Sequence, residues 1–313
     1  LPSPGGLGGL GLRAAAMLVG GDASSLLLTS RSGQVARGGQ GLEGQLHSLR
    51  SAAAIVQILA ADTSNSGEVV STSLCAMRMW GSPCSGILHL ATSYGRTLLA
   101  AAHAAGLLED SAAKACGASD LLTASCCQNL GVALLFSSIS FVANHSVACR
   151  GTTVYTAANN YLDVLAGVGR HGSGIATRCL HMGNVAEQGA GALVHERFIA
   201  TGGWVRVTLE QYATALKISL FAPSQSVKLS VLPEAEADAV LEFEGASERM
   251  ISELVQTTTS VDDASSARPA ALWRVFSLEE RLSTSHKAEV ELDTVVVLDH
   301  IVPSWKEIII VGA

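Results

Sequence analysis

At 313 residues the chain is longer than one small module, and at about 100–200 residues per domain it suits one large domain with an appendage, or two domains. Apolar residues make up 48% and charged residues 15%, which supplies a buried core and excludes global disorder, while 4% aromatics argues against a base-stacking nucleic-acid platform. The net charge of −7 leaves no basic surface for phosphate backbones, and the acidity is local: residues 1–220 hold 13 Lys and Arg against 11 Asp and Glu, whereas residues 221–313 hold 7 against 16.

In chain order, the glycine cluster GGLGGLGL at 5–12 runs straight into an Ala/Leu/Val stretch, Arg13 to Val19, with helical periodicity. The short apolar runs at 24–29 and 53–60 have the length of buried parallel strands, separated by a glycine-rich loop and a helix-compatible segment, Leu42 to Ser51. SGILHLA at 85–91 repeats the strand pattern, Leu98 to Leu108 returns to helix, and GVALLFSSI at 131–139 is the next strand. Tyr155 to Val168 reads as a helix, IATRCLHM at 175–182 as a strand, Leu209 to Leu220 as a helix and VKLSVL at 227–232 as a closing strand. Strand and helix alternating in this way predict βαβ units and an α/β, Rossmann-like doubly wound parallel sheet over residues 1–232. An acidic, Ser/Thr/Ala-rich linker around a short helix is expected from 233 to 270, and an irregular extension over 271–313, in which Glu289 to Val302 and Glu307 to Val311 read as strands without evident partners.

The seven cysteines form no CxxC pair and no metal-type spacing with the histidines, so reduced thiols, no metal site and a cytoplasmic compartment are expected, a plastid being the open alternative. The uncharged stretch between Asp120 and Arg150 is interrupted by polar residues such as Gln128, Asn129 and Asn144, which predicts no membrane span. No signal peptide is visible, and Leu1 in place of an initiator methionine suggests a piece of a longer protein.

Gly6, Gly8 and Gly11 satisfy G-x-G-x-x-G, and Gly5, Gly9 and Gly11 the overlapping G-x-x-x-G-x-G, around Leu10. Such glycines let the backbone turn tightly and approach a pyrophosphate facing the following helix, the plain alternative being a flexible terminus. The second strand ends in LTSRSG, which puts Ser30 and Arg31 where an adenosine ribose would lie. An arginine there suits a 2′-phosphate and favours NADPH over NADH. Asp62, at the end of the next strand, is a candidate for the adenine edge or a simple turn former. Strand-end serines in LLFSSIS at 134–140, followed by a helix opening VYTAANNYLD at 154–163, suggest a phenol that protonates a carbonyl whose oxygen also accepts a serine hydroxyl. Tyr155 and Asn159 lie four apart, on one helical face.

With these segments in order, together with PGGLGGLGL, AAD, GILHLA and AKACGASDL, the sequence resembles the ketoreductase domain of modular polyketide and fatty acid synthases, a branch of the short-chain dehydrogenase/reductase superfamily. The resemblance covers roughly residues 1–232. Free-standing members usually carry lysine one turn after the tyrosine, whereas the synthase enzymes carry asparagine and take their lysine from K-x-x-G-A in the preceding long helix. This chain has Asn159, and Lys114 in KACGA. The resemblance therefore implies Tyr155 as proton donor, Ser138 aligning the ketone, and Asn159 and Lys114 completing a relay. It also implies NADPH as reductant, a β-ketoacyl thioester on an acyl carrier protein as substrate, and neighbouring synthase domains as partners, with no nucleic acid. A degenerate scaffold without catalysis and a free-standing reductase of small ketones are the alternatives.

Departures from the pattern are specific. Pro2 and Pro4 stand where the family has its first strand, so that strand is expected to be damaged or cut off. The loop from Ser138 to Tyr155 is about four residues longer than usual, which leaves Ser137 and Ser140 as substitutes for Ser138; Thr92 replaces a corner glycine, and Met182-Gly183-Asn184 replaces W-G-P. EIIIVGA at 307–313 resembles the opening strand of a ketosynthase, or is a generic strand.

Overall fold

The structure is a computed structural model, and it describes residues 6–35, 41–52, 54–92, 104–126, 128, 130–138, 153–169, 175–183, 185, 207–221, 228–233, 253–255, 273–277 and 306–312. Its elements are α1 (Gly9–Gly20), β1 (Ser25–Ser30), α2 (Leu42–Arg50), β2 (Ile55–Ala60), α3 (Ser66–Trp80), β3 (Gly86–His89), α4 (Ala104–Ser111), a π-helical turn (Ala112–Cys116), α5 (Gly117–Ala124), β4 (Val132–Ser138), α6 (Thr153–Val168), β5 (Thr177–Met182), α7 (Leu209–Phe221), β6 (Lys228–Pro233), β7 (Glu253–Val255), β8 (Trp273–Ser277) and β9 (Glu307–Val311).

Among the described residues the strands form one sheet in the order β2-β1-β9-β3-β4-β5-β6-β8-β7. The pairs from β2 to β6 are all parallel, and β8 and β7 add an antiparallel edge. Side chains alternate across a strand, so the apolar runs feed two core layers. Leu26, Leu28, Leu88, Leu134, Phe136, Leu180, Ile308 and Ile310 pack with α1, α2 and α7 on one face. Leu27, Ile87, Ala133, Leu135, Cys179, Ile309 and Val311 pack with α3, α5 and α6 on the other. The runs of consecutive apolar residues in β1, β4 and β9 follow from burial on both faces, and the predicted Rossmann-like doubly wound architecture is observed.

Three features differ from the sequence expectation. Helix α3 has no strong apolar periodicity, yet it is firmly started: the Asn65 side chain accepts from the N–H groups of Gly67 and Glu68, and Glu68 returns a carboxylate oxygen to Asn65 Nδ2 and another to the Asp62 N–H. Within the stretch read as a linker, Glu253–Val255 forms a strand against β8. Most important, Glu307–Val311 does not lack partners. It lies between β1 and β3, pairing Leu26 with Ile308 and Leu88 with Ile310, in the slot expected for the family's first strand. Ile308, Ile309 and Ile310 are fully buried there, and three consecutive apolar residues suit only a strand covered on both faces. The strand expected at Glu289 to Val302 lies outside the described residues. No helix among the described residues is long and apolar enough to cross a membrane.

Candidate active site

The carboxyl ends of the parallel strands carry the candidate residues. Ser138 is the last residue of β4, buried and in register with Met182 of β5. Tyr155 sits in the first turn of α6, half-buried. One turn on, Asn159 is fully buried and donates from Nδ2 to the Tyr155 carbonyl at 2.7 Å. Lys114 reaches the same place from the π-helical turn: its Nζ donates to the Phe136 carbonyl of β4 at 2.6 Å and stands 5.7 Å from the centre of the Tyr155 ring. The tertiary structure thus brings Tyr155, Asn159 and Lys114 together beside the end of the strand that carries Ser138.

Burial dominates the electrostatics. Desolvation lowers the Lys114 ammonium from its ordinary range to about 8, with the charges of Cys179 and Asp163 opposing the shift. His89, at the end of β3, is pushed down to about 4 by desolvation and by the Lys114 charge, so it is neutral at pH 7. Its Nε2 lies 3.0 Å from the Lys114 carbonyl, which makes Nε2 the protonated, donating nitrogen. A π-turn widens the helical ladder at functional sites, and the histidine holds the Lys114 backbone at that point. Behind Asn159 on the same face of α6, Asp163 meets His181 of β5 at 2.8 Å, both buried. His89, Asp163 and His181 escaped the sequence reading, because a lone histidine in an apolar strand carries no local sign of its partner.

KACGA has a second physical requirement. A Cβ on Gly117 would come within 2.5 Å of the Thr63 carbonyl, so α5 can approach the β2–α3 connection only through a residue with no side chain. Ser66 Oγ, from the start of α3, donates to Asp120 Oδ2 at 2.5 Å and ties the same two elements.

The alternative serines separate in structure. Ser137 Oγ donates to the Asn159 carbonyl at 3.3 Å, so that hydroxyl supports the helix, while Ser140 lies outside the described residues.

At the other end of the edge, Gly6 is pressed between two strands: a Cβ there would fall 2.3 Å from the Thr29 carbonyl oxygen and 2.7 Å from that of Ile310. Gly8 precedes α1 with extended backbone and no side-chain cap, leaving the first-turn N–H groups of Gly9, Leu10 and Gly11 for an anion. Tyr212 of α7, whose phenol burial pushes up, donates to the Leu10 carbonyl at 3.0 Å and anchors this turn. Gly5 lies outside the described residues. Beyond β1, Ser30 Oγ donates to the Gln34 carbonyl at 3.3 Å, and Gly33 adopts φ 64° to close the turn that leaves Arg31 exposed. Asp62 accepts from the N–H and hydroxyl of Ser64 at 2.9 and 2.7 Å, the geometry of a turn former. The buried polar atoms without a hydrogen-bond partner among the described residues include the side-chain oxygens of Thr63 and Thr92, beyond the ends of β2 and β3, and of Asn159 on α6. A side-chain-free cradle at Gly6, an uncapped helix start and orphaned polar atoms along one edge fit a bound dinucleotide.

Comparison with known proteins identifies the family. The family model described as the KR domain matches residues 4–187. The polyketide synthase GfsB of Streptomyces halstedii is 32% identical over 227 residues, 72% of this chain but 4% of its own length. GfsA of the same organism is 35% identical over 162 residues, 52% of this chain and 2% of that protein, so the chain spans only a small part of these curated relatives. Among solved structures, the ketoreductase from the first module of phoslactomycin biosynthesis in Streptomyces sp. HK803 superposes with a TM-score of 0.60 at 26% identity, over 71% of this chain and 48% of that one. A short-chain dehydrogenase from Streptomyces avermitilis shares the fold, with a TM-score of 0.59 at 15% identity over 78% of this chain and 91% of that one. By its match to the family model and its likeness in sequence and fold to these proteins, the chain belongs to the KR-domain family, the polyketide synthase ketoreductases of the short-chain dehydrogenase/reductase superfamily.

Proposed function

We propose that the chain reduces a β-ketoacyl thioester, carried on an acyl carrier protein and supplied by neighbouring synthase domains, to the β-hydroxyacyl thioester with NADPH. The observation that carries the reading is the Lys114 ammonium above the Tyr155 ring, beside the strand end that bears Ser138. The nicotinamide, when bound, supplies the hydride that the β-carbon accepts. Tyr155 gives its phenolic proton to the ketone oxygen, and the O–H so formed balances the new C–H. Lys114 lowers the cost of the phenolate left on Tyr155, since a cation favours the charged form of a neighbouring acid. Ser138 donates to the same ketone oxygen and fixes its direction. Asn159 holds the first turn of α6 through the Tyr155 carbonyl. Gly5, Gly6, Gly8, Gly9, Leu10 and Gly11 would hold the pyrophosphate, and Ser30, Arg31 and Asp62 the adenosine end.

The direct experiment follows NADPH absorbance with a β-ketoacyl pantetheine thioester. Steady thioester-dependent oxidation is expected. Tight NADPH binding without turnover would instead identify a scaffold that has kept the fold and lost the reaction.

Cofactor choice rests on Arg31, an exposed arginine just past β1. Its planar fork suits a 2′-phosphate that NADH lacks, and charge-assisted hydrogen bonds of about 1.5–3 kcal/mol correspond to a preference of roughly tenfold to a hundredfold. Arg31→Asp should raise the Kd for NADPH by that factor and leave NADH binding equal or improved, as read by fluorescence titration of both nucleotides at one ionic strength. Equal losses for the two would remove Arg31 from the phosphate site.

A further inference from the structure

In a doubly wound sheet the ligand crevice opens beyond the carboxyl ends of the strands where the strand order reverses. Here the chain runs from β1 outward to β2 and then crosses to β3, so the reversal falls on β9, the strand between them. That strand is held at both ends. At its start, Ser24 Oγ donates to the Lys306 carbonyl at 3.0 Å, and Ser85 Oγ donates to the Glu307 carbonyl at 2.8 Å while accepting the Glu307 N–H at 3.0 Å. At its exit, the Gly312 N–H donates to Thr29 Oγ1 at 3.2 Å, a bond that joins the carboxyl ends of β9 and β1. The glycine turn rests on this junction: Gly6 lies against the carbonyls of Thr29 and Ile310, and Leu7 is fully buried in the same core layer as Ile308 and Ile310.

We propose that the segment Glu307–Gly312 is part of the dinucleotide site, with β9 as the floor on which the Gly6–Gly9 turn is seated and the Thr29–Gly312 bond as the lock beneath it. This rests on the reading of that turn as a dinucleotide cradle. The turn sits directly on its floor, close enough that a Cβ on Gly6 would overlap the carbonyl oxygens of Thr29 and Ile310, so a displaced β9 would remove one of the two surfaces against which the turn is seated. Nucleotide binding and the docking of β9 are therefore linked: a ligand that binds only the seated turn also stabilises the docked strand.

Thr29→Val keeps the shape of the side chain, removes the acceptor and leaves the Gly312 N–H without it, whereas Thr29→Ser restores the hydroxyl. Amide hydrogen exchange of the full chain without nucleotide should show residues 6–12 exchanging about fivefold faster in Thr29→Val, as expected for one lost hydrogen bond, with residues 156–166 of α6 unchanged. The Kd for NADPH should rise by a similar factor, and Thr29→Ser should return both readings to those of the parent. Unchanged exchange over 6–12, or equal acceleration throughout α6, would overturn the seating, the second because Thr29 would then act on overall stability alone. A parent that binds neither NADPH nor NADH would overturn the dinucleotide assignment itself, and the exchange data would still decide whether β9 seats the turn.

Discussion

Tyr155→Phe is expected to lower ketone reduction by about 10²–10⁴-fold, the range for removing a positioned proton donor, while nucleotide affinity stays that of the parent. The substitution deletes one oxygen and spares the rest of the site. The ring that faces the Lys114 ammonium at 5.7 Å is kept, and the Asn159 Nδ2 bond is made to the Tyr155 backbone carbonyl at 2.7 Å, so both of these contacts survive the substitution. NADPH oxidation with a β-ketoacyl thioester reads the first quantity and fluorescence titration the second. Turnover within tenfold of the parent would show that another group protonates the oxygen.

Lys114→Met should separate activity from stability. Lys114 is 3% exposed, and the lowering of its ammonium to about 8 means that the folded protein holds that charge at a cost. Methionine has a similar reach and no charge to desolvate, so at pH 7 the variant should melt at or above the parent temperature. Its reduction rate should fall by about 10²-fold or more, as the phenolate on Tyr155 loses its cation. The pH profiles provide an independent check. Between about 8 and the ordinary lysine value of 10.5 the unfolded chain binds the proton that the folded chain has released. The parent's stability should therefore rise with pH across that window, and the rise should be absent in Lys114→Met. Activity should move the other way in the parent, declining as pH passes about 8 and Lys114 loses its charge. Thermal melts and initial rates between pH 6 and pH 10 measure both. A variant that loses stability and activity together would make Lys114 a structural residue.

Much of the candidate site was legible because its signals are local. Tyr155 and Asn159 share a helical face by their spacing, the glycines before α1 announce a tight turn, and consecutive apolar residues in β1 and β4 announce strands covered on both faces. Lys114 was legible only through resemblance, since nothing in KACGA says that a π-turn aims its side chain at Phe136 and Tyr155. The start of α3 did carry a signal, Asn65 followed three residues later by Glu68, but the helix behind it lacks a clear apolar stripe.

The sequence by itself determined the α/β class and the order of the strands from β1 to β6 with most of their connecting helices, and it singled out Tyr155, Asn159 and the glycines before α1 as candidates. Only the tertiary structure decided which serine supports α6, that Asp62 closes a turn, that His89 holds the Lys114 carbonyl, and that Glu307–Val311 lies at the centre of the sheet. The reason is physical. An apolar run such as EIIIV looks the same whether it pairs at an edge or in the middle, because strand pairing is a contact between residues far apart in the chain. The burial of Ile308, Ile309 and Ile310 on both faces, together with the open slot between β1 and β3, is what assigns it a place.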